Sequence, residues 1–327
     1  MTAPPRGAPV AVLVVVLLLG ALLAAPVRAE PATFDLQAHR GGRGETTESS
    51  PAAFAHALRV GVDTLELDVV LTADRRPLVW HDPVIEAAKC RDTAPAVPAD
   101  PAFPYVGKRV HDLTLAQVRT LDCGIRLPEF PAATALPGTR LATLPEVFDL
   151  VAAAGADVGF NIETKVEADD PAASASPAEF VEVILAAVRA AGLTDRVIIQ
   201  SFDWRTLPLV RRAEPAIRLA ALWEEHTWRP GSPWLAGVDP ADGTDPLTAV
   251  RGIGADIASP PHQAVDAVFV QRAHALGLAV IPWTVNDAAT LRAQIDAGVD
   301  GVITDYPSMA REVLAGLGMP LPRAYPG

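Results

Sequence analysis

Hydrophobic and polar positions along this chain follow two periods that take turns. In FDLQAH (34–39), Phe34, Leu36 and Ala38 alternate with Asp35, Gln37 and His39, the pattern of a strand. In ESSPAAFAHALRV (48–60) the spacing turns helical, with Pro51 near the start, where a missing N–H costs little, and Gly61 at the end. From Asp63, DTLELDVVL alternates again. Further strands are predicted from about 157, 196, 217, 255, 278 and 301. Helices follow them at 178–191, 204–213, 247–250, 265–275, 287–297 and 307–314, and two more are predicted at 112–121 and 143–154, the latter capped by Thr143.

Eight strands, each followed sooner or later by a helix, imply a parallel sheet. Their spacing predicts a TIM (β/α)8 barrel with a small insertion subdomain after the second strand, at about 83–112, where the chain is rich in Pro, Ala and Asp and shows no period. An open doubly wound sheet would need a glycine fingerprint for phosphate after the first strand; His39-Arg40-Gly41-Gly42-Arg43-Gly44 is not that fingerprint. Pro282 sits awkwardly in the seventh strand, because it removes a ladder donor, and reads as a bulge.

Barrel strands are covered on both faces, so polar positions within them are informative. Glu66 and Asp68 share one face of strand two; Asn161, Glu163 and Lys165 share one face of strand three and its exit; His39 ends strand one. All fall at carboxyl ends of neighbouring strands, where barrel sites are built. Glu66, Asp68 and Glu163 form an oxygen-only set suited to one divalent metal, Ca2+ or Mg2+. The competing reading is a hydrogen-bonded polar layer inside the barrel. No Cys or His pair has zinc-ligand spacing.

His39 and His81 are the acid–base candidates, with two structural histidines as the alternative. Arg40 and Lys165 are candidates to hold an anionic oxygen. Glu48 is either close to the ligand set or a helix N-terminal charge. Trp283 and Asn286 end strand seven, where the Trp283 ring is either a wall against an apolar part of the substrate or core packing. His56, His111, His226, His262 and His274 read as surface or packing residues, and no G-x-S-x-G elbow is present.

Composition adds a compartment. Residues 10–25 form an apolar run preceded by Arg6, broken by Pro26 and followed by Val27-Arg28-Ala29, which reads as a secretory signal peptide over 1–29, cleaved after Ala29, with an uncleaved anchor as the rival. Cleavage leaves residues 30–327 as a secreted, extracytoplasmic domain and removes Arg6 and Arg28, taking the net charge from −12 to −14. That charge argues against a nucleic-acid partner but not against a small anionic substrate. In an oxidising compartment Cys90 and Cys123, the only cysteines, are expected to pair rather than stay free thiols.

Together, AHRGGRGETTESSPAAF, LELDVVLTADRRPLVWHD, FNIETK, WTVND and GVITDYP, in this order, resemble the glycerophosphodiester phosphodiesterases over nearly all of residues 30–327. The resemblance implies a TIM barrel with an inserted subdomain and one divalent metal, Ca2+ or Mg2+, on Glu66, Asp68 and Glu163. It implies His39 and His81 as general acid and base, and Arg40 and Lys165 on the phosphoryl group. The implied reaction is hydrolysis of small-molecule glycerophosphodiesters to sn-glycerol 3-phosphate and an alcohol. The family usually carries Asn-Thr where this chain has Ser49-Ser50, which bears on how the first helix starts. Two other readings compete. One is an exported phospholipase of C or D type, needing an apolar rim from Trp223, Trp228 and Trp234. The other is a barrel that binds a phosphorylated ligand without turnover.

Overall fold

Eight short strands run parallel in the order β8 (Ala279–Val280), β7 (Ile257–Ser259), β6 (Arg218–Leu222), β5 (Val197–Ser201), β4 (Gly159–Thr164), β2 (Thr64–Leu71), β1 (Asp35–Ala38) and β9 (Gly301–Thr304), and a ninth, β3 (Pro77–Val79), turns back antiparallel on β2. These come from a computed structural model that describes residues 1–3 and 34–326; the fold is that of the unit Thr33–Gly327. The expected signal segment and its cleavage point fall outside the described residues. No helix among the described residues is long and apolar enough to cross a membrane.

The chain alternates as its pattern predicts. β1 (Asp35–Ala38) leads to α1 (Pro51–Val60) and β2 (Thr64–Leu71). β3 (Pro77–Val79) opens an irregular stretch holding α2 (Leu115–Val118), and α3 (Leu144–Ala153) closes it. β4 (Gly159–Thr164), α4 (Pro177–Ala191), β5 (Val197–Ser201), α5 (Thr206–Ala213), β6 (Arg218–Leu222) and α6 (Pro246–Gly252) follow. β7 (Ile257–Ser259), α7 (Ala267–Ala275), β8 (Ala279–Val280), α8 (Ala288–Ala297), β9 (Gly301–Thr304) and α9 (Pro307–Gly316) complete the ring. Helix starts are written locally. Ser50 accepts from the Ala53 N–H, so the Ser49-Ser50 departure still delivers an N-cap directly before Pro51. Thr143 and Glu146 form a capping box at α3.

Pro282 shortens the seventh barrel strand. Residues 278–284 read as one strand, but only Ala279–Val280 are regular. The proline cannot donate toward β9, so the β8–β9 seam closes through three separate bonds: Asp300 N–H to Val280 O (2.9 Å), Ile303 N–H to Pro282 O (3.0 Å) and Val285 N–H to Ile303 O (2.9 Å). The barrel is thus nearly closed.

Outward strand positions such as Leu65, Leu67, Phe160, Ile162, Ile199 and Leu219 pack under the helices in the main apolar core. Inward positions divide. Ile198, Ala220, Ile257, Ile281 and Ile303 make a small apolar plug, and Gln37, Asn161 and Gln200 make a hydrogen-bonded polar set. Asn161 donates to Gln37 Oε1 (2.8 Å) and Gln200 Oε1 (2.9 Å), so it belongs to this set rather than to the carboxylates. The polar layer therefore exists, made of amides.

After β3 the chain builds a second apolar cluster. Trp80, Ile85, Tyr105, Val110, Leu113, Val118 and Leu141 are among its members. The predicted helix at 112–121 contracts to α2, capped by Thr114 and Gln117. Cys90 and Cys123 are joined in a disulfide (S–S 2.06 Å) within this cluster. Closing a loop over a sequence separation of 33 restricts the unfolded chain by about 3–4 kcal/mol. A Cys90→Ala, Cys123→Ala double variant is therefore expected to unfold at lower denaturant in urea titrations, by a free energy of that order. An unchanged midpoint would mean that the apolar cluster alone holds this segment.

Candidate active site

The site begins with register. β2 and β4 pair so that Glu66 lies beside Asn161 and Asp68 beside Glu163, all facing the lumen. Glu66 and Asp68 are 1% exposed and Glu163 7%. Each of the three offers a carboxylate oxygen within 4.8 Å of the others. Glu66 is partly satisfied: Oε2 accepts the Arg40 backbone N–H (2.9 Å) and Oε1 accepts from Gln200 Nε2 (2.8 Å). Neither oxygen of Asp68 has a hydrogen-bond partner. Buried carboxylate oxygens in that state are costly. Orphaned oxygens in an all-oxygen donor set fit a hard divalent cation, and Glu66, Asp68 and Glu163 are the residues that would hold it.

Basic groups sit beside this cluster. Arg40 places Nε 3.2 Å from Asp68 Oδ2, and Lys165 places Nζ 2.8 Å from Glu163 Oε1. Arg40 itself has φ 50°, in the left-handed region, while its N–H is tied to Glu66. The two glycines after it let the turn close on α1: Gly41 has φ 80°, and a Cβ there would lie 2.8 Å from Ala53 Cβ.

The charges pull proton affinities apart. Burial pushes Asp68 up, but Arg40, His81 and Lys165 together hold it down at about 2. Glu66 is pushed well above the ordinary range by burial and then by Asp68 and Glu163. Glu163 is pushed up to about 7, chiefly by burial, with Lys165 opposing and Asp68 adding to the rise.

Both candidate histidines reach the same cleft, roughly 200 Å³, lined by His39, Arg40, Glu66, His81, Glu163 and Trp283 among others. His39 follows β1 and its Nδ1 meets Asp305 Oδ1 (2.5 Å). Asp305, after β9, also accepts from Asn286 Nδ2 (2.7 Å). His81 follows the β3 hairpin strand and its Nδ1 meets Asp82 Oδ1 (2.8 Å). Burial, with Lys165 adding to it, pushes the His81 imidazole well below its usual range. A carboxylate on each Nδ1 fixes the tautomer and leaves Nε2 for exchange with a ligand. Lys165 lines the adjoining cavity, and Trp283 lines both.

A model of the Glycerophosphoryl diester phosphodiesterase family matches residues 39–309, from the first of these histidines to past Asp305. The chain belongs to the glycerophosphoryl diester phosphodiesterase family. A Glycerophosphodiester phosphodiesterase from Caldanaerobacter subterraneus subsp. tengcongensis is 28% identical over 83% of this chain and 93% of its own. A structure of a candidate glycerophosphoryl diester phosphodiesterase from Silicibacter pomeroyi is 31% identical, with TM-score 0.75 over 89% of this chain and 96% of that one. The fold is shared as well with an Oleispira antarctica phosphodiesterase in complex with the product sn-glycerol-3-phosphate, 19% identical, TM-score 0.65, covering 86% and 96% of the two chains. Family membership makes this chain a phosphoric diester hydrolase.

Several residues of this phosphodiesterase site were not singled out from sequence. Asp305 lies over 200 residues from His39 and meets it only because the barrel closes; it sits in the quoted GVITDYP motif, which was the available signal, and it accepts from Asn286, already placed by sequence at the end of strand seven. Gln200 is an ordinary strand amide until β5 lies beside β4. Glu48 proves to be no helix charge. Burial pushes it up, yet Arg40, Lys89 and Arg43 hold it down at about 2. Lys89, in the irregular stretch, bridges Glu48 Oε1 (2.8 Å) and Asp82, so the cysteine-stapled segment reaches the His81 carboxylate. The tryptophans offered as a membrane rim pack inward: Trp223 and Trp234 are buried, and Trp228 lies against Trp204 (5.8 Å between ring centroids).

Glu163 generates a pH dependence in the metal-free protein. Its proton affinity is raised on folding, so the stability it contributes is complete below about pH 4.5 and is lost as pH rises through about 7. Referencing to Glu163→Gln removes contributions common to both proteins, including the opposite one from His81. In EDTA, the melting temperature of wild type is expected to fall relative to E163Q across that window, and millimolar Mg2+ or Ca2+ to reverse the order at the upper end. A difference that stays constant with pH would show that folding does not raise the proton affinity of Glu163.

Proposed function

We propose that this chain hydrolyses glycerophosphodiesters to sn-glycerol 3-phosphate and an alcohol, with His39 and His81 as the acid–base pair. The observation that carries this is the pair of imidazoles on one cleft, each with Nδ1 on a carboxylate, flanking three buried carboxylates. One histidine takes a proton from the attacking oxygen, which is water directly, or the glycerol 2-hydroxyl, in which case a cyclic phosphate forms as the P–O bond to the alcohol breaks and water then opens it to sn-glycerol 3-phosphate. The other delivers a proton to the departing alcohol oxygen. Arg40 and Lys165, held beside Asp68 and Glu163, face the phosphoryl charge with fixed cations. Asp305 and Asp82 keep the rings oriented through the proton exchange. Glu66, Asp68 and Glu163 would hold one Ca2+ or Mg2+. When bound, such a cation supplies positive charge for the phosphoryl oxygens.

We also place the reaction outside the cytoplasm. The apolar run at 10–25 with its small-residue exit supports export, and the disulfide suits an oxidising compartment.

The test is release of glycerol 3-phosphate, the product named for the Oleispira structure. Wild type is expected to release it from glycerophosphodiesters and to lose activity in EDTA. His39→Ala and His81→Ala should each lower kcat by about 10²–10⁴-fold with little change in melting temperature. Activity on lysophospholipid vesicles without activity on soluble diesters would favour the phospholipase reading. Full activity in EDTA would remove the metal from the account.

A further inference from the structure

The two candidate histidines are supported unequally. Asp305, on His39 Nδ1, is fixed by the barrel: its Oδ2 accepts from Asn286 Nδ2 (2.7 Å) and its backbone N–H donates to Asn286 Oδ1 (2.9 Å). Asp82, on His81 Nδ1, is the next residue in the chain and lies past the end of β3. Among the described residues its carboxylate has one further hydrogen-bond or ion-pair partner, the ammonium of Lys89. A carboxylate adjacent in sequence to its imidazole has other staggered rotamers open to it. The Lys89 charge selects the one that reaches Nδ1.

Lys89 is itself closely held. Its Nζ lies 2.8 Å from Glu48 Oε1 and 5.2 Å from the centre of the ring of Trp80, the residue before His81. Glu48 also accepts from Arg40 Nη1 (3.2 Å) and pairs with Arg43 Nε (2.7 Å), so the ammonium ties the support of His81 to the turn directly after His39. The Lys89 side chain is 12% exposed, which leaves its charge weakly screened by solvent. Its backbone lies outside any regular helix or strand: Lys89 and Cys90 both donate N–H to Glu86 O (3.0 and 2.9 Å), and Cys90 is bonded to Cys123. Beyond the cysteine, Arg91 and Asp122 exchange backbone hydrogen bonds (2.9 and 3.1 Å). The path from staple to imidazole is therefore short, through Cys90, Lys89 and Asp82.

We propose that Lys89 is a positioning residue for His81, acting through Asp82, and that the Cys90–Cys123 disulfide holds Lys89 within reach. With the ammonium in place, Asp82 stays on Nδ1 and Nε2 is left free for proton exchange. Without it, Asp82, 19% exposed, turns toward solvent, and the ring is no longer confined to one tautomer and one orientation. The consequence for turnover rests on the acid–base reading of His81; the contact itself does not.

The test pairs kinetics with a readout that does not need turnover. Lys89→Met keeps the stem over Trp80 and removes the charge, and Lys89→Arg restores it. In release of glycerol 3-phosphate from glycerophosphocholine, K89M is expected to lower kcat about 10–100-fold with KM changed less than about twofold, and K89R to recover most of the loss. The imidazole 15N spectrum at neutral pH, with the His81 signals identified by their absence in His81→Ala, is expected to show Nδ1 protonated in wild type and K89R, and a mixture of both tautomers in K89M. Wild-type kcat in K89M, or a loss that K89R does not recover while the His81 nitrogens stay as in wild type, overturns the proposal. The Cys90→Ala, Cys123→Ala variant, assayed below its unfolding temperature, is expected to lose about tenfold in kcat, and adding K89M to it to cost little more, because both changes act on one contact. Losses that multiply overturn the part given to the disulfide. Full activity in H81A would sink the acid–base reading, and the nitrogen spectrum then decides the contact alone: a tautomer mixture in K89M upholds it, and an unchanged spectrum overturns it.

Discussion

Three carboxylates buried on two adjacent parallel strands are the constraint on which this molecule turns. A side-chain period of two puts Glu66 and Asp68 on one face of β2, and parallel register sets Glu163 against Asp68. Nothing in an apolar barrel would tolerate that arrangement alone. The surrounding parts answer it: an Arg40 backbone N–H and a Gln200 amide on Glu66, and Arg40 and Lys165 as cations, with both Asp68 oxygens left without a hydrogen bond. The strained turn at Arg40 and the side-chain-free Gly41 follow from bringing that N–H under the cluster.

From this centre, polar support spreads in two directions. Through His39 it reaches Asp305 and Asn286 across the β1–β9 neighbourhood, so the last barrel strand buttresses the first. Through His81 and Asp82 it reaches Lys89, and from there Glu48, Arg40 and Arg43. The stapled segment after β3 is thereby part of the site's foundation as well as its border. A charge chain of this kind resists rearrangement, because breaking a buried pair leaves an uncompensated charge.

Much of this was legible from residue pattern. Period-two alternation in the first two strands and the regular succession of strand and helix segments after them located all eight barrel strands, and the polar positions inside them marked Glu66, Asp68, Glu163 and His39 as exceptions needing a reason. What pattern could not supply was contact across the ring. Gln200 and Asp305 look unremarkable until closure brings them to the lumen. Glu48 stayed ambiguous because its partners come from a stretch without period. Trp228 and its neighbours show the opposite failure: an aromatic-rich loop looks exposed in sequence, yet its rings fill the space beside Trp204. Pro282 became intelligible only once its carbonyl was seen accepting from Ile303 while its missing donor faced β9.

The central claim is that the carboxylate cluster exists to hold a divalent cation. Calorimetric titration of EDTA-stripped protein with Ca2+ and with Mg2+ tests it most directly, read alongside the same titration of Asp68→Asn. The account predicts one cation per chain, bound more tightly at higher pH because its carboxylate ligands must be deprotonated, and no saturable binding in D68N although that variant remains folded. Saturable binding in D68N equal to wild type, or none in wild type, would contradict it.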